Sequence, residues 1–186
     1  SIPMGPIINT IIDLPIVLPP VVAGLSLLLA FGRIGLIGRN LDMVGIQIGF
    51  TTFAVVLAQI FVAAPLYIKS ARAGFESVDT RLEQVALTLG ASPLRTFMRI
   101  TLPLSAPSLT AGLALALARA LGEFGATLMF AGNLPGITQT MPLGIMTLME
   151  SDLNSALAIA VILLAISCAL LGCLRLFGLK RKPFHA

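Results

Sequence analysis

The sequence predicts an all-α integral membrane protein, a bundle of hydrophobic helices, and three observations predict it. Hydrophobic residues make up 57% of the chain and charged residues 11%, whereas a soluble domain carries about 25% charged residues. Mean hydropathy is +1.00. Apolar runs also recur at the length of about 20 residues that crosses the hydrocarbon core.

The first such run covers about 14–31, with Pro15, Pro19 and Pro20 crowding its first half. An irregular helix there needs neighbours or water to satisfy the freed backbone groups. The second covers about 44–67, with Pro65 near its end, and residues 33–43 read as a short polar loop between the two. The third starts near Leu104 and runs to about 130. Gly112, Ala116 and Ala120 form one small-residue stripe along it, and Ala114, Ala118 and Gly122 another. Such stripes let helix backbones approach closely in lipid. Residues 132–142 read as a loop, 142–150 as a short re-entrant or interfacial helix, and 156–177 as the fourth span.

Residues 69–102 are the one long stretch unlike a membrane span. Phe75, Val78, Leu82, Val85, Ala86 and Leu89 recur at helical spacing, the pattern of an amphipathic helix. Gly90 reads as its C′ residue. Ser92 followed by Pro93 reads as the N-cap and first position of a second helix, with Leu94, Phe97 and Met98 on its apolar face. The prediction is a helix–turn–helix hairpin over about 75–100, set between two spans.

Charge gives the topology. With the hairpin in the cytoplasm, Lys69, Arg72, Arg81, Arg95 and Arg99 lie inside, and two further spans add Arg175, Lys180, Arg181 and Lys182. Only Arg33 and Arg39 then lie outside, which satisfies the positive-inside rule. Residues 1–13 fall on the cytoplasmic side, leaving room for one more upstream span. The chain begins at Ser1 with no signal-peptide pattern, so a missing N-terminal piece is expected.

Enzymatic and metal chemistry find no footing in the residues. Cys168 and Cys173 lie inside the last apolar run at a spacing that fits neither a zinc pair nor a redox motif, and they read as packing residues. His185 is penultimate in the chain and has no partner in the sequence pattern. There is no HExxH, no G-x-S-x-G and no Walker A loop, so any nucleotide hydrolysis belongs elsewhere. No catalytic residue, metal or bound cofactor is expected. Nucleic acid is not an expected partner, because Glu76, Asp79 and Glu83 offset the basic residues of a hairpin tethered at both ends. Lipid headgroups are a poor match for that mixed-sign face, which leaves the bundle itself or a docking partner.

The hairpin residues carry a resemblance. Gln84-Val85-Ala86, then Gly90, then Ile100-Thr101-Leu102-Pro103 resembles the EAA–x3–G–x9–I–x–L–P loop of permease subunits of ATP-binding-cassette importers. Gln84 and Val85 depart from the pattern, and Glu83 lies one residue early. The segments Asp13–Arg33, Ala71–Asp79 and Ala118–Leu143 are similar to the molybdate-type permeases, with sulfate and tungstate permeases near relatives.

The resemblance implies a MetI-like type I permease fold with a cytoplasmic coupling-helix hairpin, in a bacterial or archaeal plasma membrane. It implies ATPase coupling through Glu83, Gln84, Ala86, Gly90, Ala91, Ser92, Ile100, Leu102 and Pro103. It also implies a second permease copy, two cytoplasmic ATPase subunits that use ATP and magnesium, and an extracytoplasmic solute-binding protein. The cargo it implies is a tetrahedral oxyanion, molybdate first, with sulfate, thiosulfate or tungstate as alternatives. Members carry a further N-terminal span. The rival class is a secondary transporter that needs no ATPase.

Arg119 and Glu123 stand i, i+4 within the third run, followed by Gly125. An ionisable residue at membrane depth marks a functional candidate, here a gate or oxyanion pathway. An intrahelical ion pair that pins packing is the other reading. Thr138 and Gln139, in the loop at the outer mouth, join the pathway candidates.

Overall fold

The structure is a computed structural model that describes residues 5–179. All regular structure among them is helical: α1 (Gly5–Val17), α2 (Pro20–Phe31), α3 (Gly38–Met43), α4 (Thr52–Glu76), α5 (Thr80–Thr88), α6 (Pro93–Thr96), a π-helical turn (Phe97–Thr101), α7 (Leu102–Leu121), α8 (Gly125–Ala131), α9 (Met141–Met149) and α10 (Leu153–Leu179). Lys180, Arg181, Lys182 and His185 lie outside the described residues, as does the side chain of Arg175.

Among the described residues, three stretches are long and apolar enough to cross a membrane: Thr52–Glu76, Pro93–Leu121 and Leu153–Leu174. The described residues divide into two compact units, one formed by 5–65 with Ala118–Ser167, the other by Leu66–Leu117 with 168–179.

In the first unit, the run predicted as one span over 14–31 is two helices. Pro19 precedes Pro20 and is extended at φ −55°, ψ 137°, as a residue before proline is biased to be. Pro20 then sits at the first position of α2, where its missing N–H costs nothing. α2 crosses α8 on glycines: a Cβ on Gly24 would fall 2.7 Å from the Ala126 carbonyl oxygen, and one on Gly125 would fall 3.0 Å from Pro20 Cβ. Around this crossing lies the buried core of Ala23, Leu27, Ala54, Ala58, Val62, Ala126 and Phe130. The loop predicted over 33–43 contains the short helix α3, and the Arg33 guanidinium donates to Asp42 at 3.2 Å across it.

The third predicted span, 104–130, is also divided. α7 ends at Leu121 and α8 begins at Gly125, so the break falls at Gly122-Glu123-Phe124. α9 occupies the place of the predicted short helix. α10 starts three residues earlier than predicted because Asp152 caps it: one carboxylate oxygen accepts from the N–H groups of Asn154 and Ser155, and the other from the Ser155 hydroxyl at 2.5 Å.

In the second unit, α4 and α7 meet on small residues. A Cβ on Gly112 would strike Ser70 Cβ, and one on Gly74 would lie 2.7 Å from Ser108 Cβ. Gly112 and Ala116 of the first predicted stripe are both buried. α4 runs past Pro65 to Glu76, so Phe75 belongs to the long helix. The amphipathic helix predicted from 75 begins only at Thr80, because Asp79 caps it by accepting from the Arg81 N–H at 2.9 Å.

Candidate functional site: the hairpin of α5 and α6

The hairpin closes on a glycine turn. Gly90 has φ +84°, a left-handed conformation that residues with a Cβ rarely adopt. Its N–H donates to the Leu87 carbonyl and the Ala91 N–H to the Ala86 carbonyl, both at 3.0 Å. That bond pair is the Schellman ending of a helix. A Cβ added to Gly90 would meet nothing within 4 Å, so the position faces open space. Ser92 then caps α6, its hydroxyl accepting from the Arg95 N–H at 3.3 Å, with Pro93 at the first helical position.

α6 does not end before the next span. It passes through the π turn directly into α7, the Leu102 N–H donating to the Phe97 carbonyl five residues back. Pro103 explains the wide turn: a proline has no N–H to give the carbonyl four residues earlier, and its ring crowds that carbonyl. Pro103 is therefore inside a continuous Pro93–Leu121 stretch rather than the boundary between hairpin and span.

Of the residues predicted for the hairpin site, Glu83, Ala86 and Ala91 are half-buried, as are Ile100 and Leu102, while Gln84, Gly90, Ser92 and Pro103 are exposed. Leu82, Val85, Leu89, Leu94 and Met98 expose their apolar side chains, Leu89 to 83%. The two helices thus leave apolar residues uncovered within this chain. The Thr101 hydroxyl, absent from the predicted set, donates to Glu83 Oε1 at 2.5 Å. Sequence reasoning missed it because Thr101 occupies the variable position of the I-x-L-P pattern.

The pathway candidates divide into two places within the other unit. Arg119, Glu123 and Gly125 line an open pocket of about 260 Å³ together with Pro20, Val21, Gly122 and Phe124. Glu123 is 1% exposed. Its Oε1 accepts from the Ala126 N–H at 2.7 Å, and its Oε2 lies 2.6 Å from Arg119 Nη1 in an ion contact off the hydrogen-bond axis. The carboxylate thus bridges the end of α7 to the start of α8. Gln59 supports the same break, donating from its side chain to the Ala120 carbonyl at 3.2 Å. Thr138 and Gln139 are not among the pocket's lining residues. The Thr138 hydroxyl is buried and accepts from the Leu134 N–H at 3.0 Å, holding the loop's own turn. Gln139 packs its side chain beside Gly144 of α9.

Residues 4–180 match the family model of the binding-protein-dependent transport system inner membrane component. The chain belongs to that family. The chain is 45% identical over 173 residues to the probable transport system permease protein NifC of Clostridium pasteurianum, a match covering 93% of this chain and 60% of the relative. It is 41% identical over 175 residues to the molybdenum transport system permease protein ModB of Escherichia coli strain K12, covering 94% of this chain and 76% of that one. The crystal structure of a bacterial ABC transporter for the acidic polysaccharide alginate shares the fold, with a TM-score of 0.70 at 16% identity over 96% of this chain and 66% of that one. The chain thus spans 60% of the length of the Clostridium relative.

Proposed function

We propose that this chain is the membrane-spanning subunit of an ATP-driven importer that moves a tetrahedral oxyanion, molybdate first, into the cytoplasm. The hairpin carries the reading. Its glycine turn, its uncovered apolar residues and its continuity with a membrane-length helix are what a docking element needs if a partner's motion is to reach the bilayer. The molybdenum-permease relatives support the choice of anion.

In this reading two copies of the chain pair in a bacterial or archaeal plasma membrane. Two cytoplasmic ATPase subunits, which use ATP and magnesium, seat on the hairpins through Glu83, Gln84, Ala86, Gly90, Ala91, Ser92, Ile100, Leu102 and Pro103. A solute-binding protein delivers the anion from outside, and the spans expose their pathway alternately to each side. Arg119 lines the pocket at the break between α7 and α8 and is the cation there that an oxyanion would meet.

The test is uptake of labelled molybdate by the complex reconstituted with its ATPase and binding protein. Molybdate uptake that requires ATP, with tungstate competing and sulfate competing poorly, is the expected outcome. Preferred uptake of sulfate would overturn the molybdate assignment, and uptake without the ATPase would overturn the importer class.

A further inference from the structure

A docked hairpin moves a span only if the two are joined stiffly. The turn 89–92 cannot supply that stiffness alone, because it connects α5 to α6 through a single left-handed glycine. The structure supplies a second connection. Glu83 lies on the first turns of α5, and Thr101 closes the π turn that leads into α7. Across 18 residues of sequence, the Thr101 hydroxyl donates to Glu83 Oε1 at 2.5 Å, a short hydroxyl–carboxyl hydrogen bond.

The surroundings favour a durable bond. Thr101 is 8% exposed, so water competes weakly for its hydroxyl. Ser105, one turn later, is fully buried and donates to the Thr101 carbonyl at 2.6 Å, which fixes the backbone on which that hydroxyl stands. The rings of Phe75 and Phe97 lie 6.1 Å apart and link the end of α4 to the start of the same π turn. α5 is therefore fastened to the helix that becomes the span, at a turn whose widened geometry is often found at functional sites.

We propose that Glu83 and Thr101 are positioning residues of the transport cycle, a strut that makes α5 and the start of α7 one lever. The strut rests on the reading of the hairpin as the ATPase-docking element, and within that element Glu83 acts through its hydrogen bond to Thr101. Glu83 stands one residue ahead of the motif's glutamate position, and the inward hydrogen bond accounts for a carboxylate there.

The experiment uses the complete complex in proteoliposomes and compares wild type with Thr101→Val, Thr101→Ser and Glu83→Gln. Three quantities are read: the ATPase retained by the permease on purification, ATP hydrolysed, and labelled molybdate taken up. Thr101→Val, which keeps shape and removes the donor, is expected to lower uptake about tenfold while retained ATPase and hydrolysis change less than about twofold, in line with loss of a hydrogen bond to a charged group. Thr101→Ser restores the donor and is expected to restore uptake. Glu83→Gln keeps an acceptor and is expected to fall between. Uptake by Thr101→Val equal to wild type overturns the strut. So does loss of retained ATPase in step with uptake, which would make the pair a shaper of the docking surface. A wild-type complex that retains no ATPase overturns the importer reading itself, and the strut with it.

Discussion

Gly90 offers the sharpest separation of backbone from surface effects. Its φ of +84° is disfavoured for residues with a Cβ by contact with the residue's own backbone. The space around it is open, since an added Cβ meets nothing within 4 Å. Within this chain, therefore, a substitution carries a conformational cost with no steric cost. That cost is roughly 1–2 kcal/mol for an ordinary L-residue and less for asparagine, which enters the left-handed region more readily.

The consequence falls on the fraction of hairpins that keep the two bonds of the turn, Gly90 N–H to Leu87 and Ala91 N–H to Ala86. Affinity for the ATPase subunit, measured on permease in nanodiscs, is expected to fall about tenfold for Gly90→Ala, for each 1.4 kcal/mol is a factor of ten. Gly90→Asn should lose less, and Gly90→Val should lose more, as a β-branched residue at positive φ. Wild-type affinity in Gly90→Val would refute the argument outright. Asparagine worse than alanine would refute its backbone basis, because the ranking would then follow side-chain size against a partner's surface.

Two further outcomes follow from charged groups. Arg119→Gln strands the Glu123 carboxylate at 1% exposure and should destabilise the purified protein by about 3–5 kcal/mol, whereas Arg119→Leu with Glu123→Leu together should recover most of it. Thermal unfolding in detergent checks this, and unchanged stability in Arg119→Gln would show that the pair is not a buried staple. Asp152, outside the spans, has its carboxyl held below the usual range, chiefly by the Ser155 hydroxyl and then by the Ser155 N–H. Its contribution to capping α10 is thus complete above the unfolded value of about 4 and is lost as pH falls through the lower folded value. Melting temperature between pH 7 and pH 3 should fall less steeply in Asp152→Asn than in wild type, and parallel curves would count against the cap.

The parts legible in the sequence are those whose cause is local. Ser92-Pro93 and Gly90 carry their capping chemistry in one or two residues, and both ends of the turn lie where that chemistry places them. The break between α1 and α2 needs only Pro19-Pro20, although a run of apolar residues over 14–31 hid it behind a single hydrophobic stretch. The boundary at Asp79 was also locally signalled, by a capping residue before Thr80, but the periodic apolar pattern ran through it from Phe75 and masked the cap.

What stayed hidden depends on contacts between distant residues. Nothing in residues 118–130 breaks an apolar helix strongly, since Gly122 reads equally well as part of a packing stripe. The break exists because the Glu123 carboxylate turns to cap Ala126 while Gln59, from another helix, satisfies the carbonyl of Ala120. The same logic explains the π turn: Pro103 was visible, yet a proline at that place reads first as a helix boundary. Only the Leu102 N–H reaching Phe97, with Thr101 held by Glu83, turns a boundary into a connection. A hairpin that ended at Pro103 would pass motion to the bilayer through a loose joint. In the proposed role, one that runs through it would carry movement of the hairpin into the start of α7.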